Sequence, residues 1–526
     1  MRFPMLVKMT QFFTVHFYVH PLISCFNKVK GISAPFAINI LIALPYLNLT
    51  YADNLPSLGS EPGDISLYDE YTIGKKVFVR IKSSDSYLDH PELEDFIMNR
   101  ISPILTNQSF IDEQKYSDFQ AANKLRLFFL DDPSLNAFAL PGNFIGINKG
   151  LISSIDDHRE LLAVFCHELA HLTQRHLSRL YKSQKDSSDI MFLTLLSAIV
   201  LGVTEPDAAA GTLSLGQTLA LKKQMSFSRH AENEADQKGI KYLEILSVSP
   251  KYMIKILNRM QQQSALGGIG TGVSWLRTHP LTVERLAGIN GRINNKSQNT
   301  IPLEIDENEK IFNFLRGTLI KNEIKPVKTK FYSELEKTFY EFWNAFNNEK
   351  YVEAGRLLDR LNELKNDSRG SLNLAVEDII SMTEIKFFLK TGKLDKADSL
   401  VRLFNHDAPE YWLLRGLDRL RLRVLYSLGK VKEFEVIARK AVKLYPKDDW
   451  FWKKRASMEF RKGNAAKAHF FVAKGFLAIG NEVGAIEQLT LARAVESKKE
   501  KILKLKIEAE LDRLRRSMSS YRSPLG

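Results

Sequence analysis

Cysteine is almost absent from this chain, with only Cys25 and Cys166 in 526 residues. Once a leader carrying Cys25 is removed, no internal disulfide can form, so stability has to come from packed cores. Cys166, within an apolar stretch, reads as a buried filler. The apolar segment 190–203 has 14 residues, short of the roughly 20 that cross a bilayer. It reads as a buried or site-covering hairpin, with a membrane-dipping loop as the other reading. Acid is missing from residues 1–52, which hold Arg2, Lys8, Lys28 and Lys30. No nucleic-acid-binding motif accompanies the formal charge of +13. The basicity therefore points to solubility or peripheral contact with an anionic membrane surface.

What remains is globular in composition: 44% apolar and 26% charged, long enough for two or more domains. The N-terminus reads as an export signal. Lys28 and Lys30 precede an apolar run from Ala34, and Ala52 offers a small residue at a cleavage point. Two other readings stay open, a lipid-anchored Cys25 and an uncleaved N-terminal anchor.

His167-Glu168-Leu169-Ala170-His171 lies in a stretch without Pro or Gly, apolar at helical spacing. Histidines four apart stack on one helix face and can reach a single Zn²⁺. The Glu beside the first one is then placed to take a proton from a metal-bound water, which is zinc-protease chemistry. A metzincin needs a third His six residues on with a Gly midway; Leu177 and Gln174 occupy those positions, so that class is excluded. His176 falls one residue out of register, on a different face.

The third donor can instead come from a later helix. Ser228-Arg-His-Ala-Glu-Asn-Glu-Ala-Asp236 puts Glu232 and Asp236 four apart. Glu232 can bind the metal while Asp236 orients a ligand histidine from behind. By itself such an acidic run can equally be a solvated helix face. Glu234 and His230 face elsewhere, and His158 reads as part of a solvated first turn. Arg229 fits either an oxyanion contact or an interhelical salt bridge.

These stretches, with Arg277-Thr-His-Pro-Leu-Thr-Val-Glu-Arg285, resemble consecutive signatures of the gluzincin family that includes the CAAX prenyl protease and the bacterial heat-shock membrane protease. Asn136-Ala-Phe-Ala-Leu-Pro-Gly142 and the following Gly146-Ile-Asn-Lys-Gly-Leu151 resemble its active-site edge strand, and Asp89-His-Pro-Glu-Leu-Glu-Asp95 resembles the start of its periplasmic branch. The resemblance implies one Zn²⁺ per chain held by His167, His171 and Glu232, Glu168 as general base, and Asp236 behind the ligands. It also implies that His279 can fill the fourth metal position and hold the enzyme latent; without it, His279-Pro280 reads as an ordinary turn. Phe144, Ile145, Gly146, Ile147 and Asn148 are expected to form an edge strand that pairs with extended substrate, or else an internal strand.

Gly392, Gly429, Gly463 and Gly480 recur at intervals of 37, 34 and 17 residues; 34 is the tetratricopeptide period. An irregular helical bundle is the alternative. The expected fold is α+β and mainly helical: a signal or targeting segment over 1–52, a zincin-type protease domain with a short edge sheet over 53–300, a linker over 301–330, and an α-solenoid of tetratricopeptide type over 331–526. By resemblance the protein is a periplasmic endopeptidase that degrades misfolded or stalled outer-membrane β-barrel proteins. Its repeats would contact the barrel-assembly machinery, with no nucleic acid involved. The rival readings are a chaperone-like scaffold with a latched zinc site and an integral-membrane quality-control protease.

Overall fold

A computed structural model describes residues 67–115, 125–182, 229–266, 275–294, 306–320, 331–368, 370–404, 411–495 and 501–520. The export-signal reading and the apolar segment 190–203 lie outside these residues. Among them, no helix is long and apolar enough to cross a membrane.

Helix α1 (Leu67–Lys82) has Asp69 and Glu70 in its first turn and Arg80 and Lys82 in its last, charges that complement the helix dipole. After β1 (Tyr87–Leu88), Pro91 opens α2 (Pro91–Leu105) at a position whose N–H needs no helical partner. His90 Nδ1 caps that helix by accepting from Leu93 N at 3.1 Å. A short α3 (Gln108–Lys115) leads towards β2 (Arg126–Leu130), β3 (Ala137–Leu140) and β4 (Phe144–Asn148). The sheet order is β1-β2-β4-β3, with β2 and β4 parallel and the other neighbours antiparallel.

This order corrects the expected edge strand. Phe144–Asn148 runs between β2 and β3, and all five residues are buried. Gly146 is small because aromatic rings cover it: an added Cβ would lie 2.4 Å from the Phe138 ring and 2.9 Å from that of Phe128. Among the described residues the outer strands are β1 and β3, the latter within the Asn136–Gly142 stretch. Alternation along the strands divides the sheet between two cores. Phe128, Phe138, Leu140 and Phe144 meet Ile73, Val77 and Phe78 of α1, while Leu127, Phe129, Ile145 and Ile147 join the larger core on the other face.

That second face holds the central helix. After α4 (Lys149–Ser154), Asp157 caps α5 (His158–Thr173), which is buried at every residue but Arg159. A helix apolar nearly all round needs packing on all sides, and it has strands β3 and β4, α7 (Arg229–Ile245) and α8 (Lys251–Leu266) against it. Between them in sequence lies α6 (His176–Lys182). The turn α9 (Trp275–Thr278) and α10 (Val283–Asn294) complete this part.

The segment expected as a linker contains α11 (Glu307–Gly317), which is pinned to the foot of α5. Glu309 Oε2 accepts from the His158 backbone N at 2.7 Å and lies 3.0 Å from His158 Nδ1. His158 is therefore buried and paired, not solvated as its acidic neighbours suggested.

Among the described residues ten further helices follow as α12 (Glu334–Asn347), α13 (Tyr351–Asp367), α14 (Leu374–Lys390), α15 (Leu394–Leu403), α16 (Leu414–Leu428), α17 (Val431–Leu444), α18 (Asp449–Arg461), α19 (Ala465–Ile479), α20 (Glu482–Ala494) and α21 (Lys501–Ser520). Gly392, Gly429, Gly463 and Gly480 each separate two of these helices with φ between 70° and 83°, the left-handed region that favours glycine. Helix α16 faces α2 through charge: Arg415 reaches Glu94 at 2.9 Å and Asp95 at 2.8 Å, and Arg419 reaches Asp89 at 2.8 Å and Asp448 at 2.7 Å. Trp412 lies against Phe96 of α2, with ring centroids 5.6 Å apart.

At the start of α12, Ser333 Oγ accepts from Glu336 N, and Glu336 Oε2 reaches back past the cap to accept from Tyr332 N. Glu336 Oε1 is buried without a partner, and burial pushes this carboxyl up to about 7. The folded state thus holds this proton more tightly than the unfolded chain does. Stability falls as pH rises from the ordinary Glu range, about 4.3, through about 7. Glu336→Gln is expected to stabilise the protein at pH 8 by on the order of 1 kcal/mol, with little change at pH 4.5. Thermal melts at the two pH values check this; an equal shift at both would contradict it.

Candidate metal centre

The centre forms where α7 crosses α5. Gly239 permits the close approach: an added Cβ would sit 3.2 Å from Met253 Cε and 3.3 Å from the His167 backbone N. One and two turns earlier on α7, Asp236 and Glu232 then face the histidines of α5. His167 Nε2 and His171 Nε2 point at each other across 3.0 Å. Glu232 Oε2 lies 3.4 Å from His167 Nε2, and Glu232 Oε1 lies 3.5 Å from His171 Nε2. His279, just after α9, brings Nδ1 to 3.0 Å from Glu232 Oε1. One donor atom from each of these four buried side chains lies within 4.8 Å of the others.

The groups behind the donors fix them. Asp236 Oδ1 lies 3.0 Å from His167 Nδ1, behind the metal-facing nitrogen. Arg285 holds Asp236 bidentately, Nε to Oδ2 at 2.7 Å and Nη2 to Oδ1 at 2.8 Å, and its Nη1 comes within 2.9 Å of Glu232 Oε2. His176 Nδ1 meets His171 Nδ1 at 2.7 Å, and its Nε2 lies 3.3 Å from Glu234 Oε2, which also accepts from Arg179 at 2.8 Å. Glu168 Oε1 accepts from the indole N–H of Trp275 at 2.9 Å.

Two expectations change here. His176, expected on a different face, instead backs His171, and Glu234, which stays partly exposed, supports His176 from outside. Arg175 takes a left-handed φ of 53° after the end of α5, and that turn swings His176 back towards the helix it follows. Arg229 is exposed, and the guanidinium buried at the centre is that of Arg285. Sequence reasoning missed Arg285 and Trp275 as site residues. Both flank the His279-Pro280 pair, and no spacing rule connects them to α5.

Burial works against charge throughout the centre, and local partners decide the outcome. Burial lowers His167, but hydrogen bonds to Asp236 and Glu232 overcome it and raise its pKa to about 9. His171 is held well below the usual imidazole range by burial, although Glu232 pulls the other way. Burial would raise Glu232; His279, His167 and His171 instead drive it well below the usual carboxylate range. Burial would raise Asp236 too, but Arg285 and His167 lower it.

The donor set fits a transition metal. Two imidazole nitrogens and a carboxylate converge, and Glu232 Oε2 is a buried acceptor with no aligned hydrogen bond. A second cluster of Asp157, His158 and Glu309 is largely engaged with protein partners. Both Asp157 oxygens are taken by Arg159, and Glu309 Oε2 by the His158 amide.

Residues 110–293 match peptidase family M48. The chain carries a peptidase family M48 domain. It is 28% identical over 246 residues to the beta-barrel assembly-enhancing protease of Escherichia coli, covering 46% of this chain and 48% of that protein. It is 25% identical over 236 residues to the putative beta-barrel assembly-enhancing protease of Vibrio cholerae, covering 44% and 46%. A third relative is the mitochondrial metalloendopeptidase OMA1 of Schizosaccharomyces pombe, 29% identical over 166 residues, or 32% of this chain and 46% of the relative. The chain thus spans about half the length of the curated relatives it matches.

All four candidate donors of the M48 domain lie inside the matched residues, as do Arg285 and Trp275. Removing a carboxylate that orients a ligand histidine typically costs about 10–100-fold in metal affinity. Asp236→Ala is therefore expected to weaken Zn²⁺ binding by that factor in competition with a chelating dye. Unchanged affinity would show that Asp236 does not support the ligand set.

Proposed function

We propose that this protein is an exported, zinc-dependent endopeptidase that cleaves unfolded or misassembled outer-membrane β-barrel proteins in the periplasm. The observation that carries the reading is the convergence of His167, His171 and Glu232, with Glu168 Oε1 beside them at 3.6 Å from His279 Nε2. The M48 match and the names of the curated relatives support it.

Two imidazoles and one carboxylate suit Zn²⁺, and three protein ligands leave a position for substrate when His279 withdraws. A zinc ion held there supplies a water of lowered pKa and polarises a peptide carbonyl. Glu168 is the group that moves the proton. Its carboxylate accepts one from the attacking water as the new C–O bond forms, and delivers it to the amide nitrogen as the C–N bond breaks. Asp236 and Arg285 act only through the ligands, holding His167 and Glu232 in place.

Extended substrate would pair with β3, the outer strand packed against α5, rather than with β4. Main-chain pairing is indifferent to most side chains and so suits unfolded clients. The paired helices after residue 331 offer surfaces of the kind that hold protein segments, including a barrel-assembly partner. Their basic residues fit peripheral contact with anionic lipid.

A second reading is a scaffold with a closed metal site. His279 favours it, since its imidazole stands among the donors where a water would have to bind. Cleavage of an unfolded β-barrel protein separates the two. The peptidase should cut in a chelator-sensitive manner, and Glu168→Gln should lower the rate by between about a hundredfold and ten-thousandfold, the range of general-base contributions. Equal cleavage by Glu168→Gln would remove Glu168 from the mechanism. His279→Ala should raise the rate if the imidazole closes the site; an unchanged or lower rate would end that idea.

A further inference from the structure

We propose that Trp275 locks the general base: the turn from Trp275 to His279 closes the centre at two points and has to withdraw as one unit before a peptide is cut. The inference rests on the peptidase reading and assigns a residue to which neither the family match nor the motif spacing gives a role.

One helical turn carries both contacts. The Trp275 indole N–H is 2.9 Å from Glu168 Oε1, and four residues later His279 Nδ1 is 3.0 Å from Glu232 Oε1. The two rings stack, with centroids 4.6 Å apart and planes at 23°, and the His279 amide donates to the Trp275 carbonyl at 2.9 Å. Neither side chain can leave without disturbing the other. Both are nearly fully buried, and Trp275 is among the largest fully buried side chains described.

The chemistry of the contact favours a lock over a catalytic role. An oxygen already taken by an indole N–H has that approach occupied and cannot meet an incoming water along it. His279 Nε2 also lies 3.6 Å from the same Oε1, so both rings crowd the oxygen that would face a substrate.

The ends of the turn are anchored too. The Trp275 amide donates to the Leu135 carbonyl at 3.3 Å, two residues before β3, and Arg285 Nη1 holds the Pro280 carbonyl at 3.0 Å. The turn therefore runs from the approach to the outer strand across to the donors. A peptide pairing with β3 would meet it at Leu135, where the Trp275 amide bond is long.

The test pairs activity with hydrogen exchange in the full chain. Trp275→Phe keeps an aromatic ring against His279 and deletes the donor. It should raise cleavage of an unfolded β-barrel protein about tenfold, the change expected when one hydrogen bond to a charged group no longer favours the closed state. Trp275→Phe combined with His279→Ala should cut no faster than His279→Ala alone, since one unit is released in both. A Trp275→Phe rate reduced like that of Glu168→Gln would overturn the lock and make the indole a positioning group for catalysis.

A second pair of variants leaves Trp275 intact. In metal-free protein, amide exchange at 275–279 should quicken about tenfold in Glu168→Ala and stay near wild type in Glu168→Gln, whose amide oxygen still accepts the indole N–H. Equal exchange in the two overturns the lock whatever the activities are. If no variant cleaves, His279→Ala included, while this exchange difference holds, the lock stands and the peptidase reading fails.

Discussion

Everything at the centre of this molecule depends on packing ionisable groups, out of water, between two helices. His167, Glu168, His171, Glu232, Asp236, His279 and Arg285 are all nearly fully buried. An isolated charge in such a place costs many kcal/mol, so each group has to be paired or to hold a cation. Arg285 provides the fixed positive charge: it neutralises Asp236 and approaches Glu232. Asp236 in turn fixes His167, and His176 fixes His171. Glu232 Oε2 stays without an aligned partner, and the two Nε2 atoms face each other. That remaining frustration is what a metal ion relieves, and it ties the sequence motif to the chemistry.

The scaffold around the centre serves the same purpose. Helix α5 is held by the sheet on one side and by α7 and α8 on others, so its histidine face has little freedom. Gly239 brings α7 near enough for carboxylates to reach those histidines, and any larger residue would press on Met253 and the α5 backbone. Rigid elements of this kind hold ligand geometry better than loops do. The turn α9 is the exception, being four residues long and tethered at its ends.

The C-terminal helices are attached through charge. Arg415 and Arg419 of α16 reach the acidic start of α2, and Lys82 of α1 reaches Asp449 at 3.1 Å. Helix α11 continues the link, since its Glu309 pins the foot of the metal-bearing helix. The same acidic run, Asp89 to Asp95, resembled a family signature in the sequence, and its role in the fold is to receive arginines from residues more than 300 positions away.

By itself the sequence determined whatever depends on local periodicity. A helix repeats every 3.6 residues, so His167 and His171 had to share a face, and so did Glu232 and Asp236. Glycines at helix ends likewise marked the turns of the C-terminal helices, because left-handed backbone strongly favours that residue. Tertiary structure alone decided which strand lies at the edge, since Phe144–Asn148 reads the same inside or outside a sheet. It also decided that His158 is buried against Glu309, that His176, supported by Glu234, backs His171, and that Arg285 rather than Arg229 supplies the charge. Trp275 reached Glu168 the same way. The physical reason is common to all of these: the partner lies on another element, and a side chain's environment is set by what folds against it.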